Sequence, residues 1–400
     1  MRFYYLDPGL KDNIGHHANT CRNVTGELRR RGIETIIAGN VDISGELKTE
    51  FGTIPLFNFF TYWSRNRDPI AGWLTVFMQG VTITTHDLTR LPQPTAGDVV
   101  YLNSTQPVQL MSLVNWLHNM PKDRRPRVVT EFGTDAGLEV KQEGDQLTFL
   151  PMDPRLDPRS VLYRYVGENT PADVRKHLFL MTFDPMASQG YQFIIGHQIG
   201  VLPLPQAAYA PLRRKTGKRP ITVAVMGHQR ADKGYHFMPE IIHTLITRHH
   251  DIHVLAHNAA PDQMPDVQQS IRQLAAMSSR VIVDERPAND KLWHYLFAGT
   301  DIVLCPYQPS RYLTAYSAIV AEALANGLPV VVPGGTSLSR FLADHGGAGI
   351  AFNDYTAQSI SDATSTAILS YDALADRAFA AAEAWNSRDR KALLVDRILG

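Results

Sequence analysis

Glu322 lies in the run "AIVAEALANGLPVVV" (318–332), which holds no other charged side chain. A carboxylate carried into a packed interior costs several kcal/mol unless something pairs with it or hydrogen-bonds to it. Two kinds of partner meet that demand. One is structural, an arginine or an interdomain amide. The other is a ligand, the vicinal hydroxyls of a ribose, which donate to the acidic residue of many nucleotide sites. Ser317, just ahead of the run, has the side chain to cap a helix, and the free amides near Ala318 and Ile319 then favour an anion. A second cluster, "MGHQRADKGYHF" (226–237), sets Gly227 directly after an apolar run with Arg230 and Lys233 close behind. Glycine lets backbone approach a ligand, Arg230 offers phosphate a planar fork, and Lys233 offers a point charge. The same residue types also make ordinary turns. Cationic loop, amide-bearing helix end and hydroxyl-binding acid together suit a nucleoside diphosphate.

Such groups need strand ends and helix starts to hold them, and the chain runs an α/β alternation twice. The first half opens with an apolar run at 2–6, then "NIGHHANTCRNVTGELRRRG" at helical spacing, then "IETIIAG", a βαβ beginning. Gly32 follows a basic helix tail, as a helix C-terminus favours. Further strands are expected at 98–103, 127–132, 177–183 and 199–204, with helices at 107–119 and 186–195; the pattern at 140–170 assigns no element. Residues 205–220, "PQAAYAPLRRKTGKRP", read as an interdomain linker. The second half alternates again from "ITVAVMG" to "PVVVPG" and closes with "GIAF" and Ala-rich helices separated near Trp385. The expected class is α/β, two Rossmann-like domains with ligands at the carboxyl ends of the strands.

Composition narrows the function. The chain has 400 residues, 44% apolar and 20% charged, and its 39 basic residues balance 39 acidic ones, so bulk charge offers nothing to nucleic acid. The N-terminus lacks the apolar core of a secretory signal, and no apolar run approaches the ~20 residues of a membrane span, so the cytosol is the expected location. Cys21 and Cys305 form neither a disulfide framework nor a ligand-spaced pair. His253 and His257, four apart on an expected strand, are too distant for one ion, while His249 and His250 suit a helix C-terminus. No G-x-G-x-x-G follows a strand, "HGGAGIA" (345–351) opens no helix, and a Walker-type loop is absent, which disfavours nicotinamide and ATP enzymes.

These residues carry a resemblance. The second half resembles the donor domain of GT-B glycosyltransferases, in particular family four, the large and mostly retaining family that includes bacterial mannosyl- and glucosyltransferases. "GHQRADKG" is similar to that family's glycine loop, with Gly227, Lys233 and Gly234 in register. "TDIVLCPYQPSRYLTAYSAIVAEALANGLPVVVP" (300–333) resembles its donor segment, in which two glutamates flank seven residues ahead of Ala-Leu-Ala-x-Gly-x-Pro-Val-Val. The resemblance spans about 220–385; the first half matches in rhythm and in a glycine loop near Gly15. It implies two Rossmann-like domains facing a central cleft: an acceptor domain at 1–205 joined by a crossing C-terminal helix at 386–400, a linker at 206–219, and a donor domain at 220–385.

The resemblance also implies roles. Glu322 falls on the second glutamate, which binds the donor ribose. The donor side comprises Gly227, His228, Arg230, Lys233, Arg286, Tyr316, Ser317, Ala318, Ile319 and Glu322, with Lys233 and Arg230 neutralising the leaving diphosphate. Two positions depart from the pattern: Thr314 stands where the first glutamate falls, and His228 where the arginine after the glycine falls. On the acceptor side stand Gly15, His16 and His17 after the first strand, His86 in "TTHD" and Glu131 and Asp135 in "TEFGTD", the last two groups expected at strand ends. Glu131 and His16 are the catalytic candidates there. The implied reaction transfers a hexosyl or deoxyhexosyl group from a nucleoside diphosphate sugar to a hydroxyl of a carbohydrate, lipid-linked or protein acceptor, with retention and with neither metal nor cofactor. The aromatic run "LFNFFTYW" (56–63) fits either core or peripheral membrane contact. Two rivals keep the fold: a catalytically silent sugar-nucleotide-binding subunit, motivated by Thr314 and His228, and a nucleotide-sugar epimerase.

Overall fold

The computed structural model describes residues 1–13, 16–60, 71–133, 136–144, 146–212, 217, 220–287 and 289–400. The chain divides into two compact units, residues 1–203 with 391–400, and residues 204–390. Gly15 and Asp135, and the end of the aromatic run at 61–63, lie outside the described residues.

In the first unit the strands are β1 (Arg2–Leu6), β2 (Glu34–Asn40), β3 (Ile54–Phe57), β4 (Val99–Leu102), β5 (Arg127–Phe132), β6 (Leu138–Glu143), β7 (Gln146–Pro151), β8 (Leu178–Thr182) and β9 (Ile199–Val201). Seven of them form one parallel sheet in the order β3-β2-β1-β4-β5-β8-β9. The strand order reverses between β1 and β4. Central strands such as "VVYL" are buried at every position, as parallel strands covered on both faces must be. The helix His17–Arg30 ends on Arg29 and Arg30, and Gly32 follows at φ +70°, the termination its sequence calls for.

Two stretches differ from the sequence expectation. Residues 138–151 form an antiparallel hairpin, β6 with β7, in which Leu138, Val140, Leu147 and Phe149 share one face, Leu138, Val140 and Phe149 packing on the first unit's core, while the other strand positions are exposed. The segment "TTHD" does not end a strand: it lies in the helix Ala71–Thr89, with exposed His86 in the last turn. Its β-branched run "VTITT" invites a strand reading, but packing overrides that weak propensity. Ser112, on the helix Pro107–Asn119, donates to the Val81 carbonyl at 3.3 Å.

The second unit repeats the plan with β10 (Ile221–Val225), β11 (Ile252–His257), β12 (Val281–Asp284), β13 (Ile302–Leu304), β14 (Val330–Pro333) and β15 (Gly349–Phe352). Their order is β12-β11-β10-β13-β14-β15, all parallel, reversing between β10 and β13. Residues 206–209 of the segment read as a linker are tied into this unit. Trp385 donates to the Gln206 carbonyl (2.7 Å), Ala208 N–H donates to Asn386 (2.9 Å) and Tyr209 N–H donates to Asn326 (3.0 Å). No helix among the described residues is long and apolar enough to cross a membrane.

Candidate functional site

In an open parallel sheet the strand-order reversal leaves a crevice at the carboxyl ends, where ligands bind. In the second unit the loops after β10 and β13 flank that reversal, and both sequence clusters sit in them.

The loop after β10 is tightly held. Gly227 adopts φ +109°, and its N–H donates to His257 Nδ1 at 3.1 Å. That bond places the ring proton on Nε2, which faces the Arg286 carbonyl at 3.0 Å. A Cβ on Gly227 would lie 3.0 Å from Ile319, 3.9 Å from the Trp293 ring and 4.0 Å from Lys233 Nζ. Gly227, Lys233, Trp293 and Ile319 therefore converge on one point. Gly234, at φ +68°, lets this loop close against β13: a Cβ there would stand 1.8 Å from the Pro306 carbonyl oxygen. The Gly234→Ala change combines that clash with a left-handed backbone. It is expected to cost about 3 kcal/mol or more, read as a lowered midpoint in denaturant unfolding.

The cations in the loop differ in availability. Arg230 is engaged, its Nε and Nη2 donating to Asp232 at 3.0 and 2.9 Å. Lys233 is partly buried, joins no ion pair among the described residues, and has its Nζ 5.4 Å from the Tyr307 ring centre. Burial, then the Arg230 charge, hold its ammonium down to about 8. His228 buries a ring Nε2 without a hydrogen-bond partner. Arg286, whose guanidinium is mostly exposed, makes a fork-like pair with Asp284; its carbonyl, rather than its side chain, anchors the glycine loop through His257.

Beyond β13, Ser317 caps the helix Ala318–Ala325, its Oγ accepting from Val320 N–H at 3.4 Å. The amides of Ala318 and Ile319 stand in the helix's first turn, where they have no intrahelical acceptor. Tyr316 precedes the cap, and Thr314 is buried with no carboxylate to offer. Glu322 is 5% exposed and is met by neutral donors, not by an arginine: Trp293 Nε1 donates to its Oε2 at 2.9 Å, and the Tyr209 hydroxyl hydrogen-bonds to it. Burial lifts its carboxyl to about 7 against the pull of those two bonds. Sequence reading missed both partners. The tryptophan in "DKLWHYLFAGT" carries no signal of its role, and Tyr209 lies in the segment read as linker.

The first unit builds a polar cluster at its own reversal. Asp7, directly after β1, accepts from Gly9 N–H (2.8 Å), Asn103 Nδ2 (2.9 Å) and His17 Nδ1 (2.8 Å). Burial alone would depress His17, but the Asp7 charge and hydrogen bond leave it raised. His16 stacks on His17 with ring centres 4.3 Å apart and has its Nε2 2.9 Å from Ser104 Oγ. Ser104 holds φ +55° and donates its N–H to Glu131 Oε2 at 3.1 Å. Glu131 is 1% exposed, its Oε1 has no partner, and burial raises its carboxyl to about 7. His16, His17 and Glu131 thus come together, whereas His86 stays on its helix. Asp7, Asn103 and Ser104 were not foreseen, although Asp7 and Ser104 directly follow apolar runs or their ends, where site residues of this architecture sit.

No protein-family profile matches the chain, and no curated protein sequence is significantly similar to it. Solved structures are similar over the whole length. Sucrose-phosphate synthase from Thermosynechococcus elongatus superposes with a TM-score of 0.64 at 12% identity, covering 100% of this chain and 96% of that one. Anabaena HepE, solved in complex with UDP, gives 0.61 at 15% identity, covering 100% and 98%. WaaG, a glycosyltransferase involved in lipopolysaccharide biosynthesis, gives 0.61 at 15%, covering 99% and 98%. With its two doubly wound units and these likenesses, the chain has the GT-B fold.

Proposed function

We propose that the protein transfers a sugar from a nucleoside diphosphate sugar to an acceptor hydroxyl. The observation that carries this reading is the convergence at the β10/β13 reversal of an unpaired Lys233, the Gly227 loop, the first turn of the helix Ala318–Ala325 and a buried Glu322. As the bond from the anomeric carbon to the diphosphate breaks, negative charge grows on the leaving oxygen, and Lys233 and the helix amides are placed to stabilise it. Arg230, shared with Asp232, adds charge at longer range. The ribose hydroxyls donate to Glu322. In the first unit we assign Glu131 and His16 to the acceptor side, where the unpartnered Oε1 of Glu131 can accept a hydrogen bond from the acceptor hydroxyl. Protein cations and amides supply the charge stabilisation, so the reaction is proposed to need no metal, and the family resemblance favours retention. The solved complexes of HepE with UDP and with UDP-glucose make a uracil nucleotide the first donor to test.

Purified protein is to be melted with UDP, GDP, dTDP, ADP and CMP, with and without EDTA. A ligand at a hundred times its Kd stabilises by about 2.7 kcal/mol. One nucleoside diphosphate is expected to raise the midpoint with EDTA present, and its sugar conjugate should then release that diphosphate when acceptor is added. Shift without turnover would favour the silent binding subunit that Thr314 motivates. No shift with any nucleotide would overturn the reading.

A further inference from the structure

At the opposite end of the first unit's sheet, where β5 and β8 begin, lies a cavity of about 540 Å³. Arg127, the first residue of β5, lines it, roughly 13 Å along the strand from Glu131 at about 3.3 Å per residue. Arg175 and Lys176, just before β8, and Arg397 on the helix Arg390–Leu399 bring three more cations to it, with His197 beside them. No aspartate or glutamate is among its lining residues. None of the four cations joins an ion pair among the described residues, although Arg2, Arg22, Arg31 and Arg125 of the same unit all do. Arg127 is held with its guanidinium 3.5 Å from the Phe179 ring centre and its Nε donating to the Ile398 carbonyl at 3.3 Å. Those contacts fix the plane of the fork and leave its Nη edges without a described partner. The crowding registers electrostatically: Arg127 is pushed below its ordinary range by burial and then by Arg397, and His197 by burial and then by Arg175.

Partly buried Arg127 and the exposed Arg175, Lys176 and Arg397, drawn from three separate elements, give one concavity a concentrated positive charge that favours an anion. Fixed guanidinium forks match phosphoryl oxygens in geometry as well as charge. We propose that this cavity is a second ligand site, binding a small, multiply charged phosphorylated anion of the diphosphate or sugar-phosphate class. It lies wholly within the first unit and is separate from the nucleotide site of the second.

Pyrophosphate is the probe, titrated calorimetrically in EDTA at low salt into the Lys233→Ala protein, so that the second unit's diphosphate site does not contribute. One site is expected, weakened at least tenfold by adding Arg397→Gln, retained with Arg397→Lys, and weakened by raising the salt. Because Arg397 is exposed and joins no ion pair among the described residues, Arg397→Gln should melt no lower than its parent. Hydrogen exchange on the unsubstituted chain gives an independent reading: pyrophosphate should slow exchange across 175–200 and 390–400. Absence of both the heat and that protection overturns the proposal, as does binding undiminished by Arg397→Gln. Failure of every nucleotide in the melting screen would leave these outcomes unaffected.

Discussion

Glu322→Gln is expected to make the protein more stable at pH 8 and worse at holding its nucleotide. The wild-type carboxyl titrates near 7 in the folded state because burial disfavours its charge, against 4.5 for the ordinary group. From about pH 4.5 to 7 the unfolded chain has released a proton that the folded chain keeps, so stability falls as pH rises through that window. Above it the full penalty, about 3 kcal/mol, is present. Glutamine removes the penalty and fits the same partners: its carbonyl accepts from Trp293 Nε1, and its amide donates to the Tyr209 hydroxyl oxygen. The second unit's melting midpoint should therefore rise by on the order of 5 °C at pH 8 and hardly move at pH 4.5. Nucleoside diphosphate affinity at pH 8 should fall by about 2 kcal/mol, or thirtyfold, as a charged acceptor for the ribose hydroxyls is lost. Scanning calorimetry at the two pH values and titration calorimetry separate these effects. Unchanged affinity with lowered stability would make Glu322 a structural residue.

Lys233→Ala is expected to weaken nucleoside diphosphate binding about a hundredfold, the scale of one lost charge-assisted contact to phosphate. The diagnostic lies in protons. Free Lys233 titrates near 8, because burial and the Arg230 charge both disfavour its ammonium. A diphosphate beside it favours the charged form, so binding at pH 8 to 9 must draw a proton from solution, and affinity must fall as pH rises through 8. Calorimetry in two buffers of different ionisation enthalpy should register fractional proton uptake in the wild type and none in the variant. If uptake persists without Lys233, another group meets the diphosphate.

The chain's local signals carried far. Buried parallel strands announce themselves as unbroken apolar runs, and the Ser317 cap and the Gly32 stop are set by neighbours a few residues away. Partners distant in sequence were not legible. Trp293 reaches Glu322 across 29 positions, and Asn103 reaches Asp7 across 96. Periodicity tells which face of an element is buried, and is silent on which side chain of another element it will meet. The hairpin at 138–151 escaped because each strand alternates over only two apolar positions, Leu138 and Val140, then Leu147 and Phe149, too short a run to stand out, and "TTHD" because β-branched residues in a helix imitate a strand.

Gln206–Tyr209 has a practical consequence. An excised second unit that began at Ile221, where the sheet begins, would lack the Tyr209 hydroxyl that hydrogen-bonds to Glu322 and would leave Trp385, Asn326 and Asn386 without their backbone partners. Cut ahead of Gln206 and after Asn386, the same fragment keeps both ends of that clasp. The boundary that preserves the surroundings of Glu322 is thus set by a short irregular segment rather than by the edges of its strands and helices.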